Sequence, residues 1–156
     1  MKKLLFSALL IGAALIGFNS TASAQNYRTA GGLFIDFGDG STFVGPAVKH
    51  SFDGTNALQG MVLFGNGATA IGAEYSYNKN IPGANGLGWN IGVGPQAIIG
   101  KGDTDFAIRP ALGLEYTIPS APINFGLDWR PMWLLDDGGH FAAGRFGLGL
   151  RYIFNK

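Results

Sequence analysis

Arg145-Phe146-Gly147-Leu148-Gly149-Leu150-Arg151-Tyr152-Ile153-Phe154, near the end of the chain, sorts its residues by even and odd position. Phe146, Leu148, Leu150, Tyr152 and Phe154 form one set, and Arg145, Gly147, Gly149, Arg151 and Ile153 the other. A period of two belongs to a strand whose two faces meet different surroundings, whereas a helix would mix the sets around its surface. The pattern repeats upstream, where Ile123, Phe125, Leu127, Trp129, Pro131 and Trp133 alternate with Asn124, Gly126, Asp128, Arg130 and Met132. Before that, Phe106, Ile108, Pro110, Leu112, Leu114, Tyr116 and Ile118 alternate with Ala107, Arg109, Ala111, Gly113, Glu115 and Thr117.

Turn signals punctuate the chain at fairly even spacing: Gly38-Asp39-Gly40, residues 53–56, Gly65-Asn66-Gly67, and residues 78–86, 100–103, 119–122 and 136–140. They predict eight strands, at residues 27–37, 41–52, 56–65, 68–78, 87–99, 105–118, 122–134 and 141–154. The strand parities place Arg28, Asp36, Lys49, Glu74, Arg109, Glu115, Asp128, Arg130, Arg145 and Arg151 on one common face. The same face carries Gly32, Gly45, Gly72, Gly88, Gly92, Gly94, Gly113, Gly126, Gly147 and Gly149. Eight strands close around little more than one filling of side chains, so the small-residue face is expected inside and the aromatic face outside. The expectation is an all-β fold: an eight-stranded antiparallel up-and-down transmembrane β-barrel with an apolar outer band and a polar lumen. A soluble ligand-binding barrel, apolar inside, is the alternative, but it would have to pack Trp89, Trp129, Trp133 and the outward tyrosines into that same narrow space.

Composition agrees. Of 156 residues, 47% are hydrophobic and only 13% charged, with 26 glycines, no cysteine, and 11 Lys+Arg against 10 Asp+Glu. That balance excludes a strongly basic nucleic-acid binder and a disulfide-stapled miniprotein. Met1 to Ala24 reads as a secretory signal peptide: Lys2 and Lys3, an apolar run from Leu4 to Phe18, and Ala22-Ser23-Ala24 ahead of cleavage after Ala24. Residues 25–156 are then the barrel. With the N-terminus periplasmic, Tyr27, Phe52, Tyr75, Tyr77, Trp89, Tyr116, Phe125, Tyr152 and Phe154 form one expected aromatic girdle. Phe37, Phe64, Phe106 and Trp133 form the other.

The chain resembles the small eight-stranded outer-membrane barrels of the OmpA and OmpX type, in particular the compact versions of Gram-negative Bacteroidetes. The resemblance covers residues 25–156 and is carried by residues 109–116, 122–131 and 145–154. It implies export through the general secretion route, passage through the periplasm with its chaperones, and residence as a monomer among outer-membrane lipid. It also implies that Tyr152 and Phe154 in the last strand serve as the signal read by the outer-membrane assembly machinery. Asn155 and Lys156 follow them, so the strict terminal-phenylalanine form is not present.

Residues that carry chemistry are few. Gly92-Val93-Gly94-Pro95-Gln96-Ala97 matches a GxGxxA dinucleotide pattern but lies within a strand, with no helix to present its N-terminus to a pyrophosphate. With two histidines and no cysteine, and His50 on an outward parity, no metal site and no cofactor are expected. Ser41, in the first outer turn, could meet His140, Asp136 and Asp137 of the last one as nucleophile, base and orienter of a rim lipid hydrolase. The plainer reading of residues 136–140 is a solvated turn. The inward charges admit two readings as well: a mildly basic porin-like pore or small-molecule conduit, or an ion-pair plug in a lumen too narrow for flow. The plug, in a barrel of structural or surface-interacting role, is the expectation.

Overall fold

The computed structural model describes residues 27–136 and 138–155; the expected leader, Met1–Ala24, and its cleavage site lie outside them. The strands are β1 (Thr29–Gly38), β2 (Ser41–Ser51), β3 (Asn56–Gly65), β4 (Ala68–Asn80), β5 (Leu87–Ile99) and β6 (Thr104–Thr117), followed by β7 (Ile123–Trp129), β8 (Met132–Leu134), β9 (Phe141–Ala142) and β10 (Arg145–Asn155). Each pairs antiparallel with its neighbour, and β10 returns to β1 through a ladder from Thr29–Asn155 to Gly38–Arg145. The sheet therefore closes into a ring, and among the described residues only the short β9, paired with β8 alone, stands outside the closed ladder. β7 and β8 keep one register against β6, Leu112 opposite Trp129 and Ile108 opposite Trp133, and form a single stave. β9 and β10 form another, so the barrel has eight staves.

Both last staves are interrupted where unbroken strands were expected. Pro131 has no N–H to give a ladder. Opposite it, the register slips by one residue between Trp129–Phe146 and Met132–Ala142. The extra residue at Ala143-Gly144 is a bulge, and it reverses which parity faces inward. Asp39 of the first hairpin accepts the Gly144 N–H at 3.1 Å, and Trp129 Nε1 donates to the Ala143 carbonyl at 2.6 Å. The tight hairpins Asp39-Gly40 and Asn66-Gly67 have positive φ at both residues, as two-residue connections matched to strand twist require.

Exposure alternates along every stave. Leu33, Val44, Leu58, Ile71, Ile91, Leu112, Leu127 and Leu150 belong to a continuous exposed apolar belt outside, while the charged strand residues turn in, except Lys79 at the end of β4, which lies exposed over the Tyr77 ring. The inner glycines let the wall bend. A Cβ on Gly45 would stand 2.0 Å from the Val62 carbonyl oxygen, and one on Gly94 would stand 1.8 Å from that of Ala73. Neighbouring staves fold across each other at these points as only glycine allows. One stretch of the inner wall is apolar: Phe34, Phe43, Ala47, Met61, Leu63 and Ala70 pack together from β1 to β4. Phe34 and Phe43 thus depart from the rule that aromatics face outward.

Candidate functional site

The lumen holds the charged residues in three groups along the axis. The end at which Tyr27 and Asn155 lie is the terminal end, and the opposite end the distal one. Near the distal end, Asp36 of β1 accepts from Arg109 Nη1 of β6 and, at 3.1 and 2.8 Å, from Arg145 Nε and Nη2 of β10. Arg145 also donates to the Gly38 carbonyl at 2.9 Å and to Ser41 Oγ at 2.6 Å. Arg109 donates further to Gln96 Oε1 at 2.5 Å and to the Arg130 carbonyl at 2.7 Å. At mid-barrel Arg130, between β7 and β8, donates to Asp128 at 2.5 Å and across the lumen to Glu74 of β4 at 2.5 Å. Its guanidinium lies 4.5 Å from the centre of the Phe34 ring, and Arg130 is 1% exposed. Towards the terminal end, Glu115 of β6 pairs with Lys49 of β2 and stands 3.6 Å from Arg151 of β10. Lys49 also donates to Asn78 at 2.7 Å, and Arg151 donates to Asn124 at 2.9 Å and to Gln59 at 2.6 Å.

The formal charges of these groups read +1, −1 and +1: two arginines on one aspartate, one arginine between two carboxylates, and a lysine and an arginine on one glutamate. Burying so many charges is tolerable only because each is paired and hydrogen-bonded. Most pairs span the bore rather than linking adjacent strands, as Lys49–Glu115, Arg109–Asp36 and Arg130–Glu74 do. The bore is narrow enough that long side chains reach the opposite wall.

Of the ten charges expected inside, nine are in the lumen. Arg28 is not. It lies exposed in a bend before β1, where its backbone joins Asn155 and Ser51 beyond the last lumen-facing residue. Its neighbour Tyr27 leaves the expected girdle and turns its hydroxyl to Glu115 at 3.1 Å. Burial, and next the facing Glu115 carboxylate, push the Tyr27 phenol well above its ordinary pKa of 10.0. Gln59, Gln96 and Asn124 lie on polar parities, so the alternation places them inside, but that they accept from Arg151 and Arg109 depends on which staves face each other. Tyr27 left no such signal, because it precedes the periodic segment.

Ser41 Oγ is occupied by Arg145, Asp136 turns to Asp105, and His140 is exposed, with its carbonyl bound by the Leu134 N–H at 2.9 Å. No hydrogen bond joins Ser41, His140 and Asp136 among the described residues, and Asp137 lies outside them. Gly92–Ala97 lies within β5. His50 faces outward, with Nδ1 2.9 Å from Thr29 Oγ1 and its ring edge-on to Phe52. No group of three potential metal ligands occurs among the described residues. Tyr152 and Phe154 stand exposed on the outer face of β10 with ring centroids 5.6 Å apart.

No family model matches the chain, and no curated protein does. Among solved structures, a barrel from "De novo design of transmembrane beta-barrels" superposes with a TM-score of 0.58 at 13% identity, covering 82% of this chain and 97% of that one. The likeness is one of fold: a closed, eight-stave, wholly antiparallel barrel that resembles a transmembrane design.

Proposed function

We propose that the chain is a monomeric outer-membrane barrel of the small OmpA and OmpX type, exported by its leader, with a closed lumen and a structural or surface-interacting role. The observation that carries this reading is the division of the wall: strand charges other than Lys79 at the end of β4 turn inward, while an apolar belt, with Leu112 53% and Leu150 46% exposed, covers the outside. In water such a belt is an aggregation liability, and in hydrocarbon it is the required surface. Strands of 10 to 14 residues in β1 to β6 are long enough to cross, since about 9–11 tilted residues suffice. Closure leaves the bilayer no unpaired backbone to solvate.

The cross-brace at Arg130 supports a plug over a pore. With Asp128 and Glu74 it spans the bore at mid-height, and the cavities on either side are separate, about 170 Å³ distally and about 40 Å³ at the terminal mouth. The engagement of Ser41 by Arg145 supports a non-catalytic rim. The exposed pair Tyr152 and Phe154 fits recognition by the assembly machinery, with periplasmic chaperones as earlier partners. Cell fractionation with gel mobility before and after boiling tests the whole reading. The protein is expected in the outer-membrane fraction, running faster unboiled. Recovery as a soluble periplasmic species with unchanged mobility overturns it. Planar-bilayer recording tests the plug, and steady resolved channels from the wild type would replace it with the pore.

A further inference from the structure

We infer that the distal cavity is a binding site for a small organic carboxylate with a short apolar body. The inference goes beyond the structural role and stands on the barrel's interior, whichever membrane surrounds it. The cavity of about 170 Å³ is close in size to one that accommodates a benzene-sized molecule, and it opens at the hairpin end. Its walls differ in chemistry. One side is apolar, from Phe43, Ile98, Met132 and Leu134; the floor is Arg109 and Arg145 gathered on Asp36.

That floor is short of negative charge and of acceptors. Two guanidiniums share one carboxylate, and Arg109, 5% exposed, keeps its Nε without any partner. The other buried side-chain atoms lacking partners among the described residues, Gln59 Nε2 and Arg151 Nε, belong to the Glu115 group and do not line this cavity, so the orphan that bears on it is the Arg109 donor. A ligand that completes this interior must therefore bring acceptors and a negative charge. The apolar wall excludes a fully hydrated inorganic ion as the best fit and favours one carrying hydrocarbon. Asp105 also lines the cavity, but on the exposed side, where water and salt screen its repulsion far more than they screen the buried arginines.

The test uses the whole folded chain in detergent micelles at fixed ionic strength. Unfolding is followed with acetate, propionate, butyrate, chloride and butylammonium as probes. A ligand that binds only the folded barrel stabilises it by RT ln(1 + c/Kd) at free concentration c, so stabilisation rises with its concentration and affinity. Carboxylates should stabilise, with affinity rising about fourfold per methylene from acetate to butyrate. Chloride and butylammonium at matched ionic strength should not. Leu134→Trp fills the apolar side without touching an ion pair, and it should abolish the butyrate effect while leaving the heat-modifiable band intact. Asp105→Asn should strengthen butyrate binding. Equal stabilisation by butylammonium or chloride, a flat carboxylate series, no butyrate effect, or an undiminished one in Leu134→Trp overturns the inference. A heat-modifiable barrel indifferent to butyrate removes only this site, whereas loss of heat-modifiability removes the membrane barrel itself.

Discussion

Arg130→Met is the most informative perturbation of the plug. Methionine keeps an unbranched apolar body of similar length, so the lost volume is small and the change is chiefly one of charge. Arg130 is 1% exposed, and it alone stands between Asp128 and Glu74, each at 2.5 Å and each 8% exposed. Removing it strands two buried carboxylates side by side in place of a neutralised triad. Breaking a buried pair by deleting one partner costs about 3–5 kcal/mol, and near-complete burial leaves little reason to discount that figure. The compensating variant distinguishes charge from packing. Glu74→Gln and Asp128→Asn added to Arg130→Met remove both stranded charges and should recover most of the loss, because an apolar or neutral replacement of a whole buried cluster is often tolerated. The assay is urea unfolding in lipid vesicles, read by fluorescence of Trp89, Trp129 and Trp133. A single-variant loss under about 1 kcal/mol, or a triple variant no better than Arg130→Met, refutes the reasoning and implies a lumen wet enough to screen its own charges.

Three further outcomes are expected. Leu148→Arg, on the outer face of β10 opposite Ile35 and Leu127, should cost about 2–4 kcal/mol in vesicle unfolding, and a negligible cost would take that belt out of hydrocarbon. Gly94→Ala should destabilise by at least about 1–3 kcal/mol, because its Cβ would press on the Ala73 carbonyl oxygen. Gly60→Ala, with nothing within 4 Å of the added carbon, should be neutral or stabilising by up to about 1 kcal/mol in the same titration. In the turn after β2, Asp53 accepts the Asn56 N–H at 2.6 Å and the Thr55 N–H at 2.9 Å, which hold its carboxyl below the ordinary 3.8. A depressed folded pKa gives stability present above the unfolded value and lost as pH falls through the folded one, so the gap between wild type and Asp53→Ala should close on acidification below 3.8. A gap constant with pH would dissociate the carboxylate from the turn.

The barrel was legible because two solvents impose a period of two, and that period survives in nearly every stave. It failed where the backbone departs from the pleat. Parity alone could not register the bulge at Ala143-Gly144, whose extra residue reverses the inward side between Arg145 and Phe141, both odd-numbered. Nor could it show that the ladder loses step at Phe154, where Thr29 meets Asn155 and Ala30 meets Ile153, or that Arg28 lies past the last lumen-facing residue. Which charges lie inside was readable for nine of the ten residues that parity put on one face, Arg28 being the exception. Their pairing was not, since Arg130–Glu74 and Lys49–Glu115 depend on which staves stand opposite each other in three dimensions. The inward Phe34 shows the same limit: its ring serves as a platform for Arg130, a role that hydrophobicity alone does not reveal.

The plus, minus, plus order of the lumen groups bears on how such a barrel responds to voltage. One elementary charge carried across a membrane at 100 mV is worth about 2.3 kcal/mol, so an interior of one sign would be pushed as a piston. Here the field drives the Asp36 and Glu115 groups one way and the Arg130 group the other, placing the stack under internal tension with only the residual single charge left to move it. Because Arg109 reaches from Asp36 to the Arg130 carbonyl, the distal and middle groups are mechanically joined as well as oppositely loaded. An interior wired in this way behaves as a fixed dielectric filling, and its ion pairs should stay in place under potentials that would move a free gating charge.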